Sequence, residues 1–360
     1  MRWSPIPPQV SYTRVLVPLI PTLPASWYSD PEIWQAERRE VWAKEWIHVG
    51  YRYQVDRVGG YVTDDIAGYR IFVHRGTDGE LRAFHNVCPH RAGPIVLDGE
   101  GCQANLTCRY HGWAFHPDGR LRSARDFGAD VPDDIALSSI RVHDWRSMIF
   151  VCMSPSTPAF DVWFGAFAAE CAEYPIETYQ FHSRSVRPMR VNWKTYGDNY
   201  LENYHVPVVH LAMAHRDVHA LLSRNEGSGL DRRWNVQRAP TKDGYLASGI
   251  YTWFWPNFAF DVFPGGLAIE RYVPRTIDRT DLIFDYFFEE GATDIDSVVQ
   301  ASEEVVDEDL VIVEAAHANL IGGVYTQGLL SPRHENGLVD FQALLREAVA
   351  DGGPVRPLSP

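Results

Sequence analysis

The sequence is poor in cysteine. Five in 360 residues are too few, and odd in number, for a disulfide framework. Any that cluster read as metal ligands or as thiols of a reducing compartment. Basic residues are also short: 33 Lys and Arg against 47 Asp and Glu leave a net charge of −14. That balance repels phosphate backbones and argues against nucleic acid as a partner. No stretch reaches the ~18 uninterrupted apolar residues of a membrane span, so no membrane role is expected. The apolar run from Val15 to Ile20 contains Pro18 and is followed by Pro21 and Pro24. It has neither the length nor the charge layout of a signal peptide, and a cytoplasmic location is the expectation. No G-x-G-x-x-G follows a strand pattern, so no nicotinamide or flavin site is expected within the chain.

What is present suits a globular protein of about two domains, with 45% hydrophobic and 22% charged residues. Residues 1–29 read as a proline-rich arm. Ser29-Asp30-Pro31-Glu32 is a helix start, and the helix is predicted to run to Lys44. From Trp46 to Ser154 short strands dominate. Tyr69–His74 and Leu81–Val87 are joined at Asp78-Gly79, a second turn sits at Asp118-Gly119, and Met148–Met153 is strongly apolar. Pro155 to Pro158 marks a boundary. Beyond it, Val191 to His205 reads as a strand end passing into a helix. Four alternating strands near 246–254, 257–262, 267–274 and 281–288 suggest an antiparallel sheet, and 295–320 and 339–350 are helical. The fold class is α+β. The expected division is an arm and helix over 1–44, a β-rich domain over 45–155, and a helix-on-sheet domain over 156–360.

The most specific feature is Cys88-Pro89-His90 followed by Cys108-Arg109-Tyr110-His111. Two such loops together offer two sulfurs and two nitrogens. That set suits a tetrahedral zinc, or a Rieske [2Fe–2S] centre in which one iron takes two Cys and the other two His. In a Cys2His2 finger the cysteines form one pair and the histidines another. Here each loop mixes the two, which favours the two-iron cluster. Pro89, Gly93, Pro94 and Gly112 fit loops that wrap a buried group. Cys102, Cys152 and Cys171 lack such partners, and Cys152 reads as core.

Cys-x-His, seventeen residues, then Cys-x-x-His followed by Gly112-Trp113 closely resembles the Rieske motif of the Rieske non-haem iron oxygenases. Respiratory-type Rieske proteins carry an extra cysteine in each loop, and those are missing here. The resemblance runs from about Trp27 to Ala350. It implies a β-rich Rieske domain and a catalytic domain of the helix-grip, Bet v 1-like type, and it demands a second, mononuclear iron site.

Asp198-Asn199-Tyr200-Leu201-Glu202-Asn203-Tyr204-His205-Val206-Pro207-Val208-Val209-His210 meets that demand. Glu202 and His205 are three apart, which places them on one face of a helix. His210 lies five beyond His205, about 140° round an ideal helix. Pro207 should kink or end the helix, and a kink can bring His210 back toward His205. Two His with one carboxylate form the facial triad of non-haem Fe(II) oxygenases. From these residues alone Glu202 could be the carboxylate. The resemblance implies instead that Glu202 bridges to the Rieske His of a neighbouring subunit, and that the third ligand lies far downstream. Many relatives carry Asp at the bridge and a subgroup carries Glu. Within Glu308-Asp309-Leu310-Val311-Ile312-Val313-Glu314 the choice is Asp309, with Asp307 the nearest competitor. Asp198 reads either as an orienting partner of a ligand His or as a helix cap. His215 and His219 read as ordinary helix or loop residues. His317 reads as core or interface, and the acids Glu303, Glu304, Asp307 and Glu308 as a solvated face.

The resemblance implies a homotrimeric terminal oxygenase. A separate reductase or ferredoxin would supply electrons, and O2 would hydroxylate, dihydroxylate or oxidatively demethylate a small organic substrate. Tyr251 to Phe258 could wall a cavity with aromatics, although core packing is the commoner fate of such a strand. An aromatic or otherwise apolar substrate is the leading expectation. The alternative is a quaternary ammonium compound, since Leu201-Glu202-Asn203-Tyr204-His205 resembles the choline and carnitine monooxygenase branch. A non-catalytic electron-transfer or zinc-binding protein is the reading from another class.

Overall fold

The computed structural model describes residues 19–210, 222–224, 232–238 and 249–351. A short strand β1 (Ile20–Pro21) leads to helix α1 (Pro31–Glu37). Asp30 caps α1 by accepting from the Glu32 N–H, with Pro31 at the first helical position. The helix does not run regularly to Lys44. It widens into a π-type turn over Arg38–Trp42, where the Ala43 N–H reaches the Arg38 carbonyl at 3.0 Å. Val41 and Trp42 are both fully buried there.

The strands then follow as expected for a β-rich block. They are β2 (Ile47–Tyr51), β3 (Gly60–Ile66), β4 (Tyr69–Arg75), β5 (Leu81–His85), β6 (Glu100–Cys102), β7 (Leu106–Thr107), β8 (Ala114–Phe115), β9 (Leu121–Ser123), β10 (Ser139–Trp145) and β11 (Met148–Cys152). Seven form one sheet in the order β2-β11-β10-β5-β4-β3-β6, and β7-β8-β9 form a small sheet beside it. The β4–β5 turn needs Gly79 at φ 82°, and Asp78 accepts from the Glu80 N–H.

Helix α2 (Phe160–Glu170) precedes the second sheet. That sheet holds β12 (Gln180–Met189), β13 (Leu222–Arg224), β14 (Trp234–Arg238), β15 (Ile250–Phe254), β16 (Phe258–Phe263), β17 (Gly266–Thr276) and β18 (Arg279–Phe288). Its order is β12-β18-β17-β16-β15-β14-β13, antiparallel throughout. Between β12 and β13 lie α3 (Trp193–Tyr200) and α4 (Val206–Val209). After β18 come α5 (Ile295–Ile321), β19 (Leu329–Leu330, paired with β1) and α6 (Asn336–Asp351).

Strand periodicity divides the core. Phe258, Phe260, Val262, Leu267 and Ile269 face α2 and the end of the first sheet, among Phe160, Phe164, Tyr51 and Phe150. Trp253, Ala268, Tyr272 and Tyr286 face the other way, against Trp193 of α3, Val313 of α5 and Phe341 of α6. Polar links tie the two sheets. Arg271 donates to Asp64 at 2.6 Å and to the His48 carbonyl at 3.0 Å, and Tyr51 donates to Asp285 at 2.6 Å. No helix among the described residues is long and apolar enough to cross a membrane.

Candidate metal centres

The first centre sits on two loops of the first domain, one between β5 and β6 and the other between β7 and β8. Cys88 and Cys108 are buried, His90 is half-buried and His111 is exposed. The two imidazoles lie 4.7 Å apart, and the Trp113 indole stacks on His90 at 4.7 Å and 4°. The Tyr110 N–H points at the Cys108 sulfur at 3.5 Å. Gly93 has no room for a side chain: a Cβ there would meet the Cys108 sulfur at 2.9 Å and the Tyr110 Cβ at 2.7 Å. Burial is the main force pushing the Cys88 thiol up, to about 11, against the pull of the His90 and Arg91 N–H groups. A sulfur so buried becomes a thiolate when a metal takes it. The buried Nδ1 of His90 has no protein partner. Among the described residues, one group brings three ligand atoms within 4.8 Å of one another, and it is not this one.

The compact group is His205, His210 and Asp309. Three elements deliver it. Asn192 caps α3 by accepting from the Lys194 N–H at 3.1 Å. The helix stops at Tyr200, and α4 restarts at Val206 with Pro207 in its first turn. Glu202 and His205 are therefore not on one helix face. They share the break between two helices, where Glu202 accepts from the N–H groups of Tyr204 and His205. Pro207 starts α4 rather than kinking a longer helix. His210 closes α4, and α5 brings Asp309 across.

The Nε2 atoms of His205 and His210 lie 3.5 and 3.2 Å from Asp309 Oδ1. That oxygen is buried and has no hydrogen-bond donor. Each imidazole is held from behind. His205 Nδ1 meets Glu202 Oε1 at 2.6 Å, and His210 Nδ1 meets Glu308 Oε2 at 2.8 Å. A carboxylate on Nδ1 places the proton there and leaves the Nε2 lone pair for a metal. The donor set and the orphaned oxygen fit Fe(II) with open positions. Asp307 is turned outward, 3.5 Å from Arg187.

The other residues singled out by their sequence context lie apart from the metal point. Asp198 accepts from Tyr28 and from Gln342, the latter at 3.0 Å, rather than bonding a ligand His. It fastens the N-terminal arm and α6 to α3. Burial pushes its carboxyl up to about 6, while the Tyr28 and Gln342 hydrogen bonds pull the other way. His317 is buried against Thr195 at 3.2 Å. His215 and His219 lie outside the described residues. The acid run is not simply a solvated face: Glu308 holds His210, and Glu303 accepts from Ser185, Arg187 and Tyr286.

A cavity of about 140 Å³ opens beside the triad. Its lining includes Tyr196, Tyr200, Tyr251, Gln237, Asp261, Glu270 and Phe284. The register explains the grouping. Gln237 pairs with Tyr251, Tyr251 with Asp261, and Glu270 with Phe284, so these side chains share the helix-facing side of the sheet. Trp253, Phe254, Trp255 and Phe258 went into the packed cores instead. Asp261 accepts from Tyr200 at 2.9 Å. Burial pushes Asp261 up to about 7; burial and then the neighbouring Asp261 push Glu270 well above the carboxylate range. Sequence reasoning missed both acids. The available signal was an acid inside an aromatic strand, Phe258-Ala259-Phe260-Asp261-Val262-Phe263. A larger groove, about 410 Å³, opens at Tyr51, Tyr53 and Phe181 and includes no metal-ligand residue.

Comparison with known proteins agrees with both centres. The family described as Rieske [2Fe-2S] domain matches residues 45–136, and the family described as ring hydroxylating alpha subunit (catalytic domain) matches 176–351. The chain is 30% identical over 348 residues to choline monooxygenase, chloroplastic, of Beta vulgaris, covering 91% of this chain and 77% of that one. It is 30% identical over 364 residues to the carnitine monooxygenase oxygenase subunit of Escherichia coli K12, covering 92% and 94%. The solved structure of a quaternary ammonium Rieske monooxygenase with L-carnitine aligns at a TM-score of 0.78 and 26% identity over 92% of this chain and 96% of that one. Naphthalene 1,2-dioxygenase with indole bound aligns at 0.70 and 18% over 91% and 94%, a likeness of fold.

Proposed function

The chain belongs to the Rieske non-haem iron oxygenases, and on that premise we propose that it hydroxylates a small ammonium compound with electrons handed across a subunit boundary. It is the terminal oxygenase component of its system. The observation that carries the reading is the convergence of His205 Nε2, His210 Nε2 and Asp309 Oδ1 on one point, in a chain that also holds the Cys88, His90, Cys108, His111 set. When bound, the cluster supplies single electrons and the mononuclear iron supplies an open position for O2. Hydroxylation of a C–H bond takes up one O2, two electrons and two protons and yields the alcohol and water. A separate reductase or ferredoxin is the electron source in this reading.

The protein's own residues do the positioning. Glu202 and Glu308 fix the two ligand imidazoles through Nδ1. Glu202 also stands near the surface, and we assign it the bridge to the Rieske His of a neighbouring copy. Two surfaces support that assignment. The cluster tip exposes His111, Tyr110 and Val87 beside Arg91 and Arg109. The iron side exposes Tyr204, Val208, Val311 and Ile312 beside Glu304 and Asp307. Apolar and aromatic groups ringed by opposite charge on the two patches are what docking of one copy on the next requires. A homotrimeric ring closes such a head-to-tail contact. The domain division follows as 1–44, 45–155 and 156–360. Beside the two cluster ligands, Cys102, Cys152 and Cys171 are unbridged, and a cytoplasmic location is part of this reading.

The ammonium reading is favoured over an arene by the cavity. Its walls bring the acids Asp261 and Glu270 together with Tyr196, Tyr200 and Tyr251, and the indoles of the 251–258 strand are packed elsewhere. The named relatives act on choline or carnitine. Iron and sulfide analysis with electron paramagnetic resonance tests the two-site assignment. Asp309→Ala is expected to lose the mononuclear iron and keep the Rieske signal. Retention of full mononuclear iron in that variant would show that another residue is the third ligand.

A further inference from the structure

The cavity beside the triad contains an unbalanced charge pattern. Asp261 on β16 and Glu270 on β17 are diagonal neighbours on one face of the sheet: Asp261 pairs with Ala268, and Glu270 with Ala259. They are 6% and 2% exposed. Among the described residues lining the cavity there is no Lys or Arg. Lys194, two residues before the lining Tyr196, is buried, but its ammonium is taken by Glu37 at 2.6 Å. Two buried acids without a basic side chain are either held protonated or matched by a cation from outside.

The hydrogen bonding narrows the choice. Tyr200 donates to Asp261 at 2.9 Å, and Tyr196 lines the cavity beside Glu270. Among the described residues no donor reaches the buried Oε1 of Glu270. A quaternary ammonium can offset one of the two charges, but it has no N–H and leaves Oε1 unmet. A protonated amine supplies the charge and the donor together, in the stronger charge-assisted form. The tyrosines can face the alkyl groups of such a cation.

We propose that Asp261 and Glu270 form a subsite for the cationic nitrogen of the substrate, and that this nitrogen carries at least one hydrogen. The inference rests on the ammonium reading above and refines it: the preferred substrate is a protonated secondary or tertiary amine rather than the quaternary ammonium of the named relatives.

Three probes of one shape separate the claims. Choline is permanently charged without N–H, N,N-dimethylethanolamine is charged with one N–H at neutral pH, and 3,3-dimethylbutan-1-ol is the neutral isostere. Binding to the iron-loaded holoenzyme is followed by calorimetry and by the perturbation each ligand makes in the resonance signal of the nitric-oxide adduct of the mononuclear iron. N,N-dimethylethanolamine is expected to bind roughly tenfold or more tightly than choline, and choline more tightly than the alcohol. Glu270→Gln and Asp261→Asn, checked for unchanged iron and cluster content, are expected to erase the preference for the N–H-bearing cation. Choline binding as tightly as the amine in the unmodified protein would overturn the N–H subsite and leave the ammonium reading standing. Binding of the alcohol as tightly as both cations, or of none of the three, would overturn the ammonium reading itself.

Discussion

At the scale of single residues, the iron site depends on groups that would never touch the metal. His205 and His210 can present Nε2 because Glu202 and Glu308 occupy their Nδ1 positions. Removing such a partner frees the ring to turn and lowers its basicity. Glu308→Ala is therefore expected to weaken mononuclear iron binding by roughly 10–100-fold while the Rieske spectrum stays unchanged. Iron titration of the variant followed by the two resonance signals measures this. Equal affinity would show that His210 is fixed by other means. The two candidate sites could be read because their spacing is chemical: mixed Cys and His loops, and two His around a proline. Glu308 was not legible. Whether an acid on a long exposed helix faces solvent or a ligand depends on where a distant loop docks.

At the scale of elements, the break between α3 and α4 builds the site, and α3 is where the arm, the sheet and α6 meet. Glu37 of α1 receives the Lys194 ammonium at 2.6 Å and the Trp193 indole N–H at 2.9 Å, and all the atoms involved are buried. Removing one partner leaves an uncompensated charge in the core. Lys194→Met is expected to cost about 3–5 kcal/mol, read as a lowered denaturant midpoint. An unchanged midpoint would mean that Glu37 is held neutral in the fold. The strands around this helix were legible from their alternation, since one face had to be buried on each side of the sheet. The helix break was not legible, because 193–210 carries a near-continuous helical pattern. The capping of α3, the loop made by Glu202 and the restart at Pro207 together decide it. The widening at Arg38–Trp42 was hidden for the same reason: a π-type turn keeps the composition of a helix.

At the scale of the whole molecule, the question is how electrons travel between the two centres. The cluster tip carries exposed His111 with arginines around it, and the iron side carries Glu202 beneath exposed aliphatics with acids around them. These patches are complementary to each other, as a head-to-tail assembly needs. The sequence supplied this through a resemblance; the exposed residues supply its physical form. Co-assembly of two disabled chains tests it most directly. Cys108→Ser removes the cluster and keeps the mononuclear iron, and Asp309→Ala does the reverse. The measurement is the rate at which O2 re-oxidises chemically reduced cluster, with N,N-dimethylethanolamine present, in oligomers assembled from both chains. The account predicts that re-oxidation, lost in Asp309→Ala alone, returns in the mixed assembly. A mixture as slow as Asp309→Ala alone would contradict transfer between subunits.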